Sequence, residues 1–287
     1  MKFSLFRKYG ARNSPPIFDA IEDGLRRLGH DIYHHNNEAD VAVIWSQLWV
    51  GRMRPNQAVF DMYRKSHRPV LVVEVGALKR NETWRLLVNG EHRFLIQQRD
   101  QTRASSLDLC ARPWRRDGRH VLIALQSPES QQWHGMPDIN AWMHDVVQEL
   151  RAHTDRPIIM RPHPRYHKRA HRMAWPAGCH VQLPNYVAGT YDSFDFDQAL
   201  NQTWAVVNWN SNPAVISALQ GVPVFVGAHS LAAPVGNMAL ADIESPLMPD
   251  RDQWVNDLAW HEWYTDEIKS GQALEPVISA INAARNS

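Results

Sequence analysis

The segment Asn208-Trp209-Asn210-Ser211-Asn212-Pro213 follows an apolar run and opens a helical pattern. Asn212 reads there as an N-cap and Pro213 as the first helical residue, so the helix begins with unpaired backbone N–H groups. Such a terminus draws phosphate without a glycine-rich loop, because the N–H groups and the helix dipole both favour negative charge. The same residues read equally as a well-capped helix and nothing more. Arg161-Pro162-His163-Pro164 closes a second apolar run. Its prolines hold the backbone extended and fix His163 beside Arg161, and an imidazole next to a guanidinium suits a phosphate or carboxylate. The alternative is a satisfied histidine in a stiff loop. Glu74-Val75-Gly76 ends a third run in a carboxylate. Burial there raises the pKa of the acid and suits it to be a general base, and Gly76 admits close approach of backbone to ligand. A helix cap or a salt bridge to Lys79 or Arg80 is the competing reading. Asp40 and Asp100 are the next candidates for the base.

Other signals point away from common chemistries. His163, His167 and His171 recur at every fourth position, but Arg165, Lys168, Arg169 and Arg172 surround them and disfavour a dication, so no metal is expected. That basic run reads either as a solvated face or as a contact for a nucleic-acid backbone. His34 and His35 carry no partner pattern and read as surface residues. No Ser-His-Asp order, P-loop, GxGxxG or paired CxxC occurs, and no cofactor is implied.

The elements that must position these residues alternate. Residues 2–6, 41–45 and 70–75 read as strands, with helices over 16–28 and 56–65 between them. After Gly76 the pattern weakens up to a charged, turn-rich stretch at 112–118 that reads as a linker. A second series follows: strands at 121–125, 158–161, 205–209 and 222–226, and helices at 139–151, 196–200 and 213–220. Two consecutive βα series predict two Rossmann-like doubly wound domains facing across a cleft, 1–117 and 118–287, with ligands held at the strand carboxyl ends. A helical tail, 250–264 and 274–284, is expected to pack back across the lobes.

Composition agrees with a globular chain: 287 residues, 44% hydrophobic and 21% charged, with a net charge of +1 that exerts no global pull on nucleic acid or membrane. Cys110 and Cys179 match no metal or disulfide spacing, as a reducing compartment allows. No signal peptide and no membrane-spanning run is legible, so a cytoplasmic protein is expected. Of twelve tryptophans, most are expected in the core and a minority facing sugars or bases.

With those residues in place, the chain resembles a small GT-B type glycosyltransferase. Arg161-Pro162-His163-Pro164, Asn210-Ser211-Asn212 and the following Ala218-Leu219-Gln220-Gly221-Val222-Pro223-Val224 resemble blocks of bacterial capsule Kdo transferases, and Glu74-Val75-Gly76 resembles the acid-glycine segment of their other lobe. The N-terminal half lacks that family's longer signature after the acid. The resemblance implies a metal-independent transferase with a nucleotide-sugar donor held by Arg161, His163, Asn210, Ser211 and Asn212, with Glu74 as base. Trp45, Trp49, Gly76, Trp84 and Arg165 are then expected on the acceptor side. The whole layout is also similar to phage-encoded proteins, some of whose GT-B relatives glycosylate hydroxymethylated bases, which implies DNA with a hydroxymethylated pyrimidine as acceptor, in the host cytoplasm. A capsule or other glycan acceptor, a nucleotide-sugar epimerase or hydrolase, and a non-catalytic nucleotide- or nucleic-acid-binding module are the alternatives.

Overall fold

The computed structural model describes residues 1–97, 99–190 and 193–285. In chain order the strands are β1 (Lys2–Leu5), β2 (Asp31–His34), β3 (Val41–Trp45), β4 (Val70–Val75), β5 (Thr83–Val88), β6 (His120–Ala124), β7 (Ile158–Arg161), β8 (Cys179–Val181), β9 (Thr203–Val207), β10 (Val224–Phe225) and β11 (Trp263–Tyr264). The α-helices are α1 (Pro15–Arg27), α2 (Pro55–Lys65), α3 (Thr102–Ser106), α4 (Ile139–Arg151), α5 (Phe196–Ala199), α6 (Asn212–Leu219), α7 (Asp252–Ala259), α8 (Thr265–Ser270) and α9 (Leu274–Arg285). Among the described residues no helix is long and apolar enough to cross a membrane.

The chain forms two compact units, Met1–Leu107 with Asn256–Ser287, and Asp108–Val255. In the first, the sheet order is β11-β5-β4-β3-β1-β2. β1 to β4 are mutually parallel, whereas β5 runs antiparallel to β4 and β11 antiparallel to β5. This sheet is therefore mixed rather than uniformly parallel. The apolar strands 41–45 and 70–73 are buried on both faces, as a central strand requires. Phe3, Val43, Leu71 and Val73 join α1, α8 and α9 on one side, while Ala42, Ile44, Val70 and Val72 meet Phe60 and Tyr63 of α2 on the other.

β5 escapes sequence reading because Arg85 interrupts its apolar pattern and its place is set by pairing, Glu74 with Arg85 and Val72 with Leu87. From Asn256 onward the tail belongs to the first unit, whereas 250–255 belong to the second. Leu274, Val277 and Ile281 of α9 enter its core, and Gly24 of α1 meets the Ile268 carbonyl of α8 so closely that a Cβ would overlap it.

The second unit has a parallel sheet, β10-β9-β6-β7-β8. The stretch 109–118 lacks regular structure, as its composition predicts, but is not a free linker. Arg112 and Arg115 donate backbone bonds of 2.8 and 2.7 Å to Leu219 and Gly221, and Arg251 lies 3.7 Å over the Trp114 ring. Those contacts move the unit boundary from 117/118 to 107/108.

Candidate functional site

In the second unit, chain order sets the place. The path β6-β7-β8 proceeds to one side of β6, whereas β9 and β10 lie on the other. The connections after β6 and β9 therefore leave in opposite senses, and at such a switch point a crevice opens beyond the strand carboxyl ends. Asn208, 2% exposed, bridges it: its Nδ2 donates to the Ala124 carbonyl at 2.7 Å and its Oδ1 accepts the Ser211 N–H at 2.8 Å. Gln126, following β6, accepts the Asn210 N–H at 3.3 Å. The Oδ1 of Asn210 is buried and has no hydrogen-bond partner.

Helix α6 begins at this point, with one correction: its N-cap is Ser211 and Asn212 is already helical. The extended backbone of Ser211 (φ −99°, ψ 170°) makes it the flanking residue. Its hydroxyl bonds to Asn208 at 2.9 Å, so the helix has no side-chain cap. Pro213 carries no N–H and the Ala214 N–H donates to the Ser211 carbonyl at 3.2 Å, which leaves the Asn212 N–H and the helix dipole to face an anion.

Arg161 ends β7 beside this region but is already engaged. Its side chain is 4% exposed, Nη2 bonds to Asp195, the guanidinium lies 6.0 Å over Phe196, and Nη1 has no partner. Burial pushes the Asp195 carboxyl up, but hydrogen bonds from Arg161 and Asn185 outweigh it and hold the group below the usual carboxylate range. His163 caps the 3-10 helix Pro164–Arg172 and accepts the Arg165 N–H on Nδ1 at 3.3 Å. In the neutral ring that leaves Nε2 as the donor. Arg165 is exposed. The side chains of His167, Lys168 and Arg169 lie outside the described residues. Among the described residues no group of three His, Cys, Asp or Glu is placed to hold a metal ion.

The first unit places Glu74 at the end of β4. Its Oε1 accepts the Gln47 N–H at 2.7 Å and the Ser46 hydroxyl at 3.1 Å. Ser46 presents both with a left-handed backbone, φ 62°, which costs about 1–2 kcal/mol for a residue with a Cβ. Burial raises the Glu74 pKa, opposed by Arg85, the bonds from Gln47 and Ser46, and Arg80. Across the strand pair stands Arg85, 4% exposed, whose Nη2 donates to the Val75 carbonyl at 3.0 Å. Glu262, arriving from the tail, accepts from the Ala77 and Leu78 N–H groups at 2.5 and 3.1 Å and from the Thr83 hydroxyl at 2.6 Å. Beside it His261 is buried, and its pKa is lowered to about 3 by burial and by Arg85. His92 is pushed down in the same way, with His261 adding to the effect.

The structure corrects several acceptor-side expectations. Trp45, Trp49 and Trp84 are 2, 7 and 4% exposed, packed on Phe18, Phe60 and each other, so none presents a ring face for stacking on a base. Gly76 is required by the chain itself, since a Cβ there would overlap Glu262 Oε2 and the Thr83 hydroxyl. Asp40 accepts the Lys2 N–H at 2.8 Å, and Asp100 accepts the Thr102 N–H at 3.0 Å, which ties both to local structure.

Sequence reasoning missed Asn208 as the organiser of the crevice, and Gln126, Asp195, Arg85, His92, His261 and Glu262. Arg85 inside Thr83-Trp84-Arg85-Leu86-Leu87-Val88 is the one legible signal, because a charge within an apolar run needs a partner. Nothing local marks Glu262.

No family model and no curated protein matches the chain in sequence. Among solved structures it is similar to the β-Kdo 2,4-transferase of KpsC from Thermosulfurimonas dismutans, with a TM-score of 0.51 and 11% identity over 99% of this chain and 98% of that one. It is likewise similar to the β-Kdo 2,7-transferase of KpsC from the same organism, with a TM-score of 0.51 and 12% identity over 96% of this chain and 99% of that one. At such identities the likeness is one of fold.

Proposed function

We propose that the protein transfers a sugar from a nucleotide-sugar donor to a hydroxyl group. The observation that carries this reading is the uncapped start of α6 at the switch point between β6 and β9, with the unpartnered Oδ1 of Asn210 beside it. The Asn212 N–H and the helix dipole there suit a phosphate, and a buried acceptor without a partner suits a donor group of a nucleotide or sugar. The resemblance in motifs and the likeness in fold to Kdo transferases point the same way.

In this reading the second unit holds the donor through the start of α6, His163 and Asn210, and Arg161 positions the neighbouring loop through Asp195. The acceptor oxygen attacks the anomeric carbon as the bond to the phosphate oxygen breaks, and the nucleotide leaves with the electron pair. Glu74 takes the hydroxyl proton; its raised pKa brings it closer to that task. No resident cofactor is required. A DNA acceptor rests on the phage-type resemblance and on the basic run 161–172, now without the tryptophans.

The test is calorimetric titration with a panel of nucleotide sugars, then detection of released nucleotide with glycan acceptors and with hydroxymethylated DNA. Nucleotide release that depends on acceptor supports transfer, and labelled sugar in DNA would restore the DNA acceptor. Binding without release would favour a binding module, and a rearranged donor without acceptor an epimerase. Absence of binding by every nucleotide sugar would overturn the reading.

A further inference from the structure

Away from the α6 crevice, the first unit encloses polar atoms with nothing to bond to. The Nε and Nη1 of Arg85 have no hydrogen-bond partner, and Glu262 Oε1 stands 4.0 Å from Nε, beyond hydrogen-bonding distance. Gln47 Oε1 and His261 Nε2, both buried, are in the same state. Leaving such a group dry costs about 1–3 kcal/mol each, more for a charged one. Arg85 of β5 faces the segment before β11, where its charge acts on the His261 ring and Glu262 stands 4.0 Å away. Both Arg85 and the Gln47 backbone N–H, from the loop after β3, adjoin Glu74. The carboxyl ends of parallel strands such as β3 and β4 are where open α/β sheets receive ligands.

A stretch without helix or strand, 91–97, lies over this cluster. Gly90, at φ 72°, rests so closely on the Gln47 amide that a Cβ would overlap it. Phe94 meets the His261 ring edge-on at 5.5 Å, and Leu95 and Ile96 touch the core. The cover is thus attached largely by side chains, which makes it cheaper to open than a strand in a ladder.

We propose that this cluster is a ligand site in its closed form, that it takes a neutral, hydroxyl-rich compound such as a sugar ring, and that residues 90–97 are its cover. A hydroxyl donates and accepts at once, so one ring can serve the Arg85 donors, the Gln47 acceptor and His261 Nε2 in whichever tautomer the imidazole takes. An anion suits the site less well, because Glu262 and Glu74 already flank Arg85. As a binding site the cluster stands independently; as the acceptor site it rests on the transferase reading.

The experiment is titration of the full chain with neutral methyl glycosides, and separately with inorganic phosphate and acetate, observing the His261 and His92 ring resonances by NMR and hydrogen exchange over 90–97. Glycosides are expected to shift both rings and to slow exchange in the cover. Gln47→Ala should weaken binding roughly tenfold for one lost hydrogen bond, and Arg85→Lys, which keeps the charge, should remove it while circular dichroism shows the fold retained. Shifts with phosphate or acetate only, no response to any glycoside, unchanged affinity in Gln47→Ala, or a glycoside-soaked crystal with only ordered water against Arg85 would each overturn the proposal. Nucleotide-sugar binding is read separately: its loss with glycoside binding intact ends the donor reading alone, and the converse ends this one.

Discussion

The two polar centres are built in opposite ways. In the second unit the crevice is made from short runs at strand ends, and Asn208 ties the start of α6 through Ser211, a sequence separation of 3. In the first, Glu262 reaches the turn after β4 across a separation of 185 residues. Bonds of the first kind shape a loop within one element junction, whereas the second kind holds the tail to the sheet, so that loss of one carboxylate is felt by the whole unit. Loss of Glu262 should therefore be felt mainly in stability, and loss of Asn210 mainly in binding.

The sharpest way to break this contrast is Glu262→Ala. It strips three donors and leaves Arg85 with less compensation, and is expected to cost about 3–5 kcal/mol in urea unfolding, the range for breaking a buried charge pair. A loss no larger than that of a surface substitution would show that the tail is only loosely held. Glu74→Gln comes next: turnover should fall by a factor of order a hundred, while donor affinity in calorimetry stays unchanged. Retained turnover would leave Glu74 a structural acid.

Acidity should also act on the first unit more than on the second. His261 stays neutral in the fold down to about pH 3, whereas the unfolded chain takes up the proton near pH 6.5. Its contribution is fully present above 6.5 and is lost as pH falls towards 3, by about 1.4 kcal/mol per pH unit. His92 acts in the same direction, and Glu74, with its raised pKa, in the opposite one. Urea midpoints between pH 7 and 5 check this: His261→Gln should flatten the profile, and an equally steep profile in that variant would sink the assignment.

The smallest effects belong to the crevice. Asn208→Ala should cost about 1–3 kcal/mol by leaving the Ser211 N–H without its acceptor, together with nucleotide-sugar binding. Asn210→Ala removes an acceptor that has no partner in the fold, so stability should hold while donor affinity falls roughly tenfold, as for one hydrogen bond. Unchanged affinity would place the donor elsewhere.

Much of the scaffold was legible in the chain. The runs 41–45, 70–75 and 158–161 are strands with those limits, and α4 spans 139–151 as its periodicity predicts. Proline and glycine mark α1, because a fixed φ suits a helix start and Gly29 at φ 78° suits the residue beyond its end. The position of Glu74, His163 and Ser211 at strand ends follows from these local patterns, since side-chain periodicity and backbone restriction act over a few residues. Tertiary structure alone decided the rest. β2, β5, β8 and β11 are short or broken in pattern, so that pairing fixes them even where residues such as Trp84, Val88 and Tyr264 favour a strand. The tail's apolar face would fit either unit until α1 and β5 receive it. The tryptophans look alike in sequence, and only the packing around Trp45, Trp49 and Trp84 shows that they fill the core. Glu262, His261 and Arg85 become one cluster only when the sheet is assembled, because contacts of such long separation leave no periodic trace in the residues that make them.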